Sequence, residues 1–263
     1  MKTCTLLAFI AAASSFEACA FAEQTPTPWS FYTSTFVMKD YYGAIVGGTF
    51  YPGTMSFTDF GARRTDAKGS TGFDLSLGQK LDNFSYNKDG GNEYDFTVDR
   101  STTFTVAGFP VKADFSVCYL AVHDLRQIKD DVLSPDVRLD FPKVPFLQPY
   151  IVVYRFDRVG NSPEDSGWFF YGGFIHEETL RLRVNGRPIV LTVDNRIGYS
   201  EKLFGTEPGL SYDRLSVSLR IEVAPRWTIT PILIEQFKGD QPKGYAFADR
   251  NQTLWAVLVY HPL

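Results

Sequence analysis

The chain has 263 residues, enough for one large β domain or two ordinary ones, and a net charge of −4. With no lysine/arginine run anywhere, that charge excludes a nucleic-acid binder held by phosphate contacts. Aromatic residues make up 16% of the sequence, with 23 Phe and 14 Tyr, a heavy load for a chain that is not apolar on average.

The N-terminus reads as a secretory signal. Lys2 is the positive end, Leu6 to Ala13 the apolar stretch, and Ala20-Phe-Ala22 an A-x-A-like cleavage site before Glu23. A transmembrane helix there would fall short of the ~20 residues a span needs, and Glu17 interrupts it. Cys19 invites a lipoprotein reading, but Phe16-Glu-Ala18 puts a charge into the recognition stretch. The expected division is therefore 1–22 signal, 23–28 a loose Pro/Thr-rich leader, and 29–263 one β domain. Cys4 and Cys19 leave with the signal, so Cys118 stays alone and no internal disulfide forms. It is expected to act as a small apolar side chain. No later stretch offers about 18 consecutive apolar residues, so no helical span is predicted.

From Trp29 onward about twelve strand-like segments follow, with almost no helical periodicity. The first two, near Trp29 to Met38 and Thr54 to Arg63, are the least cleanly patterned. The third sets Phe73, Leu75 and Leu77 against Asp74, Ser76 and Lys80. The fourth sets Tyr94, Phe96, Val98, Phe104 and Val106 against Glu93, Asp95, Thr97, Asp99, Thr103 and Thr105. Arg100 falls on the apolar row there, which predicts a bulge or an error of register. The fifth sets Val111, Ala113, Phe115, Val117 and Tyr119 against Lys112, Asp114 and Ser116. The sixth sets Val137, Leu139 and Phe141 against Arg138 and Asp140.

The seventh opposes Tyr150, Val152, Tyr154 and Phe156 to a mixed row with Arg155 and Asp157, and the eighth, Gly167 to Glu177, is aromatic throughout. The ninth sets Ile189, Leu191, Val193, Ile197 and Tyr199 against Thr192, Asp194 and Arg196, with Asn195 an exception. The tenth, Asp213 to Val223, is the cleanest: Leu215, Val217, Leu219, Ile221 and Val223 on one face, Arg214, Ser216, Ser218, Arg220 and Glu222 on the other. Trp227 to Phe237 and Gln252 to His261 complete the set.

Tight turns at Ala107-Gly-Phe-Pro110, Lys143-Val-Pro145 and Ala224-Pro-Arg226 alternate with longer polar connections. Glu178 to Pro188, with Asn185-Gly186 at its tip, reads as a long hairpin. Segments of about ten residues or more, alternating turn lengths and aromatics at strand ends (Trp29, Tyr94, Tyr119, Tyr150, Phe156, Trp168, Tyr199, Trp227, Phe237) favour lipid over a protein core as the apolar partner. Only closure satisfies the backbone in hydrocarbon. The predicted fold class is all-β: a closed antiparallel transmembrane β-barrel of about twelve strands, with short periplasmic turns and longer extracellular loops. A soluble secreted barrel or sandwich is the competing architecture.

Four passages carry a resemblance: Val137-Arg-Leu-Asp-Phe-Pro142, Leu147-Gln-Pro-Tyr-Ile-Val-Val-Tyr-Arg-Phe-Asp157, Gly167-Trp-Phe-Phe-Tyr-Gly-Gly-Phe174 and Trp227-Thr-Ile-Thr-Pro-Ile232. The chain resembles bacterial outer-membrane porin-type barrels, especially the twelve-stranded nucleoside-specific channels and porin families similar to them. The ending Tyr260-His-Pro-Leu263 departs from the terminal aromatic such barrels usually carry. The resemblance implies residence in the outer membrane of a Gram-negative bacterium after signal cleavage. It also implies contact with outer-membrane lipid, delivery by periplasmic chaperones and the assembly machinery, and a monomeric or oligomeric channel for small polar solutes. It carries no substrate-binding residue over.

The polar rows supply the candidate pore lining: Asp74, Asp95, Asp99, Asp114, Arg138, Asp140, Arg155, Asp194, Arg196, Arg214, Arg220 and Glu222. Acids dominate strands three to five and arginines strands nine and ten, so a transverse field across a lumen is predicted, one that orients zwitterionic or polar solutes. Interior ion pairs that merely fill the barrel would give the same pattern, and a non-conducting barrel that anchors or adheres through its loops remains the alternative function. No enzyme is predicted: nothing fixes a Ser beside His123, His176 or His261. His176 and Glu177 point to opposite faces and do not share a metal ion. No cofactor or metal is expected.

Overall fold

The computed structural model describes residues 27–42, 49–81, 92–123, 131–142, 144, 146–159, 166–201, 203, 207–240 and 251–263. The signal, most of the leader, Cys4 and Cys19 lie outside the described residues. So does the side chain of His123.

Alternation of the kind seen in Asp213 to Val223 is realised as twelve antiparallel strands. They are β1 (Ser30–Tyr42), β2 (Thr49–Asp66), β3 (Gly69–Lys80), β4 (Asn92–Val106), β5 (Phe109–His123) and β6 (Asp131–Asp140). The second half comprises β7 (Gln148–Val159), β8 (Gly167–Val184), β9 (Arg187–Glu201), β10 (Gly209–Ala224), β11 (Trp227–Lys238) and β12 (Gln252–Pro262). Each strand pairs with its sequence neighbours, and β1 pairs with β12 from Tyr32↔Pro262 to Met38↔Ala256, closing the barrel. Closure leaves no sheet edge, the condition for a strand structure in lipid.

One end carries the tight connections. The turns at 67–68, 107–108, 185–186 and 225–226 each occupy two residues, whereas β6 and β7 are joined by 141–147, longer than the Lys143–Pro145 turn predicted. Ala107 and Gly108 have φ of 49° and 84°, and Asn185 and Gly186 of 50° and 79°. Two successive positive φ values match the type I′ turn whose twist suits a hairpin. The Asn185-Gly186 hairpin is as long as expected, since β8 runs on to Val184.

Register assigns each row a face. Phe73, Val98 and Val117 are paired across β3, β4 and β5, all exposed, and Phe60, Leu75, Phe96 and Tyr119 extend the same band. Leu215 and Leu233 continue it on β10 and β11, and Trp255 on β12. Trp29, Tyr94, Tyr199, Trp227 and Phe237 are also exposed, as interfacial aromatics should be. The opposite rows hold the most deeply buried side chains, among them Phe169 and Tyr212 at 0% exposure and Arg214 at 1%. That face is the interior.

Two expectations change. Arg100 needs no bulge: the β3–β4 and β4–β5 ladders run without a register shift. Arg100 instead points outward and bonds Asp66 (2.8 and 2.9 Å) and Thr71 (2.8 Å), an ion pair near the short-turn end, where water is close. The second change concerns β7. Arg155 is paired with outward Trp168, while Tyr150, Val152 and Phe156 are buried in the interior. On β12, Leu254 and Ala256 turn inward and pack with Met38 and Ile234. In a barrel this narrow, part of the inner wall is apolar because side chains must fill it.

The lumen wall as candidate functional site

Eleven of the candidate lining residues lie on the inward rows: Asp74, Asp95, Asp99, Asp114, Arg138, Asp140, Asp194, Arg196, Arg214, Arg220 and Glu222. Arg155 does not. It sits on the outward row of β7, bonded to Asp157 at 2.7 Å and lying 5.3 Å from the Trp168 ring.

The inward rows of β2 to β6 form an acidic arc. Asp59, Asp74, Asp95, Asp99, Asp114 and Asp136 share it with few cations. Hydroxyls supply most of the compensation: Tyr32 donates to Asp74, Ser101 to Asp114, Ser116 to Asp136, and Ser34 to Asp59 at 2.6 Å. Two ion pairs add to this, Arg63 with Asp99 at 3.0 Å and Lys112 with Asp114 at 2.8 Å. Glycines make the longer reaches. Gly61 stands between Tyr32 and Asp74 in one cross-strand row, and Gly72 between Arg63 and Asp99. A Cβ at Gly61 would lie 2.1 Å from the Tyr32 ring, and one at Gly72 would lie 2.1 Å from Asp99. Absence of a side chain in the middle strand is what lets partners two strands apart meet.

From β6 to β10 the interior is built differently. Tyr150, Val152, Phe156, Phe169, Tyr171 and Tyr212 make one buried cluster with Val132, and Leu203 of the β9–β10 connection packs into it. Three arginines there lie on rings: Arg138 is 4.3 Å from Tyr150, Arg196 is 5.1 Å from Tyr171, and Arg214 is 4.7 Å from Tyr212. Cation–π contact of this kind gains strength as water leaves. Arg138 also grips Asp140 through two nitrogens (2.7–3.0 Å), and Arg214 bonds the Gln236 amide oxygen at 3.2 and 3.3 Å. Asp194 accepts the Tyr150 hydroxyl at 2.6 Å but stands 4.0 Å from Arg196. Gly198 opens room for the stack of Phe169 on Tyr212 (centroids 6.1 Å apart): a Cβ there would meet the two rings at 2.8 and 2.7 Å.

Arg220 and Glu222 lie nearer the short-turn end. Arg220 is exposed, and Glu222 pairs with Arg187. Cys118 faces the lumen from β5 as a free thiol, half-buried between Thr97 and Ser134. His176 and Glu177 point to opposite faces as predicted, His176 contacting the Phe146 carbonyl at 2.8 Å and Glu177 accepting from Thr192. Among the described residues no group of three metal-ligating side chains comes together.

Sequence reasoning missed Asp59, Arg63 and Asp136, although each alternates in phase with its strand. It also missed the lumen tyrosines, for a stronger reason. Tyr150 and Tyr154 belong to a strand with two largely apolar rows, where alternation alone does not say which faces lipid.

No protein-family model matches the sequence, and no curated protein matches it. Among solved structures, the chain is similar to the KdgM porin (TM-score 0.47, 10% identity, covering 89% of this chain and 98% of that one). A second is an outer membrane channel from Pseudomonas putida F1, at TM-score 0.49 and 8% identity, with 95% and 100% covered. A third, a KdgM porin in complex with disordered oligogalacturonate, overlaps at TM-score 0.46 and 10% identity, again with 89% and 98% covered. The barrel assignment itself rests on this chain's own register and closure. A closed twelve-strand barrel with an apolar outer band fits a porin-type outer-membrane barrel.

Proposed function

We propose that the protein is an outer-membrane channel for passive diffusion of small hydrophilic solutes, exported to the outer membrane of a Gram-negative bacterium through its N-terminal signal. The observation that carries this reading is the division of faces. A band of exposed apolar and aromatic side chains encircles a closed barrel whose inward rows carry eleven of the twelve candidate lining charges. Charges at membrane depth are costly unless they line water, so a wall with both signs supports an aqueous path. The role is non-enzymatic. Insertion by the assembly machinery after passage with periplasmic chaperones follows from the same reading, as does contact of the outer band with lipid.

Planar-bilayer conductance of the purified, heat-modifiable barrel tests it. Discrete conductance steps are expected, and a folded barrel that never conducts would sink the channel. One observation favours a second reading, a barrel with a closed interior that works through its outer loops: Phe169 and Tyr212 have no exposed surface and Leu203 packs on them. Silent but correctly folded protein would support that alternative.

A further inference from the structure

The interior arginines are not equally compensated. Arg138 has a two-nitrogen carboxylate partner and Arg63 has Asp99. Arg196 does not match them: its Nε is buried without a hydrogen-bond partner, and the Asp194 carboxylate stands 4.0 Å away while engaged by Tyr150. On the inward rows of β4 and β6, Asp95 Oδ1 and Ser134 Oγ are also buried without a partner. Asp136 is bonded by the Ser116 hydroxyl and lies within electrostatic range of Asp114 and Asp99, so its surroundings add negative charge.

A continuous surface joins the two poles. Asp136 pairs with Tyr154 across β6 and β7, the Tyr154 ring stacks on Tyr171 with centroids 5.8 Å apart, and Arg196 lies over Tyr171. Asp136 and Arg196 are therefore the two ends of a platform made of two tyrosine rings. Tyr154 is within electrostatic range of both.

We propose that this platform is a binding position for zwitterionic solutes of the size of an amino acid. It rests on the channel reading and adds a solute class to it. The Arg196 guanidinium takes the solute carboxylate through paired N–H donors, a geometry that suits a fork better than an ammonium. The solute ammonium faces Asp136, with Asp99 and Asp114 behind it, and the carbon frame lies on the tyrosine faces. A solute of one charge sign is attracted at one pole and repelled at the other. A neutral solute gains nothing at either, and a zwitterion gains at both.

Vesicles reconstituted with the full-length mature barrel, and swollen in glycine or in its uncharged isomer glycolamide, provide the test. Glycine entry is expected to exceed glycolamide entry. Arg196→Gln and Asp136→Asn should each abolish that preference, read as the ratio of glycine entry to glycolamide entry in the same vesicles, and Arg196→Lys should retain only part of it. Heat-modifiable migration confirms that each variant is folded. Equal entry of both solutes in the unmodified protein overturns the proposal, as does a preference that survives both neutralisations. If neither solute enters, the channel reading fails, and equilibrium dialysis of labelled glycine against the folded barrel then decides the binding position. Saturable binding lost in Arg196→Gln upholds it; absence of binding overturns it.

Discussion

The two arcs of the inner wall obey the same pleat rule yet hold their charges in different ways. On β2 to β6, carboxylates are held by hydroxyls and by half-exposed cations, with glycines letting partners reach across a strand. On β6 to β10, guanidinium groups lie on tyrosine rings inside a buried aromatic cluster. The first arc is a wet solution at its half-exposed pairs, Arg63 with Asp99 and Lys112 with Asp114, where water replaces a lost bond. The second is a packed solution, in which shape decides. A lumen can thus be polar along one side and core-like along the other without breaking strand alternation.

The difference should be largest for added volume. Gly198→Ala sets a methyl against Phe169 and Tyr212, both without exposed surface and with nowhere to swing. Overpacking of that kind is expected to cost about 1–3 kcal/mol, read as the unfolding midpoint in detergent. Gly61→Ala also creates a close contact, but with the half-buried Tyr32, which can move aside and give up its bond to Asp74. Its cost should stay near ~1 kcal/mol. Equal costs at the two glycines would erase the distinction between packed and wet arcs.

Cation removal comes next. Arg214→Met deletes a side chain that is 1% exposed, bonded to Gln236 and laid on Tyr212, so a loss of about 1–3 kcal/mol is expected from the buried polar groups it serves. Arg63→Met removes a pair partner whose side chain is 41% exposed, and should cost below about 1 kcal/mol. Chemical denaturation of the two variants in the same detergent separates these outcomes, and a costlier Arg63 substitution would reverse the assignment of arcs.

What the sequence made legible follows from which strands have one clear face. Asp213 to Val223 has an unbroken apolar row, and its Arg214, Ser216 and Ser218 lie inward as alternation requires. Strand β7 offers Tyr150, Val152, Tyr154 and Phe156 on one row and Ile151 and Val153 on the other, so hydrophobicity gives no vote. The deciding force is lateral: Ile151 pairs with Gly172 and Val153 with Phe170 on the outer band, and the tyrosines join the rings of β8 inside. Pairing of that kind is a property of neighbours, which a single strand does not display. The inward glycines were legible in principle, since Gly61, Gly72 and Gly198 all fall on the inward rows of alternating strands, where a missing side chain marks close approach.

Charge substitutions on the wet arc should alter ion preference more than stability. Asp74→Asn with Asp99→Asn removes two lumen carboxylates whose partners are a tyrosine hydroxyl and a half-exposed arginine. The reversal potential in a salt gradient is expected to move toward anion preference, because the acidic side of the transverse field is weakened. No movement would mean that these carboxylates do not meet the permeating path.

The smallest effect sharpens the comparison most, because it tests where the wall ends. Arg155 is the one candidate whose row is outward: it is paired with Trp168, bonded to Asp157 and near the long-loop end of β7. At that depth an outward charge is tolerated, with costs of about 0–1 kcal/mol, since the interface is within reach. Arg155→Ala should therefore leave the reversal potential unchanged and shift stability by less than about 1 kcal/mol. If it moves the reversal potential as far as the Asp74 and Asp99 neutralisations do, the tyrosine row of β7 faces lipid and Arg155 faces the lumen. The packed arc would then lose Tyr150, Tyr154 and Phe156 together, because a one-residue slip exchanges the two rows of a strand.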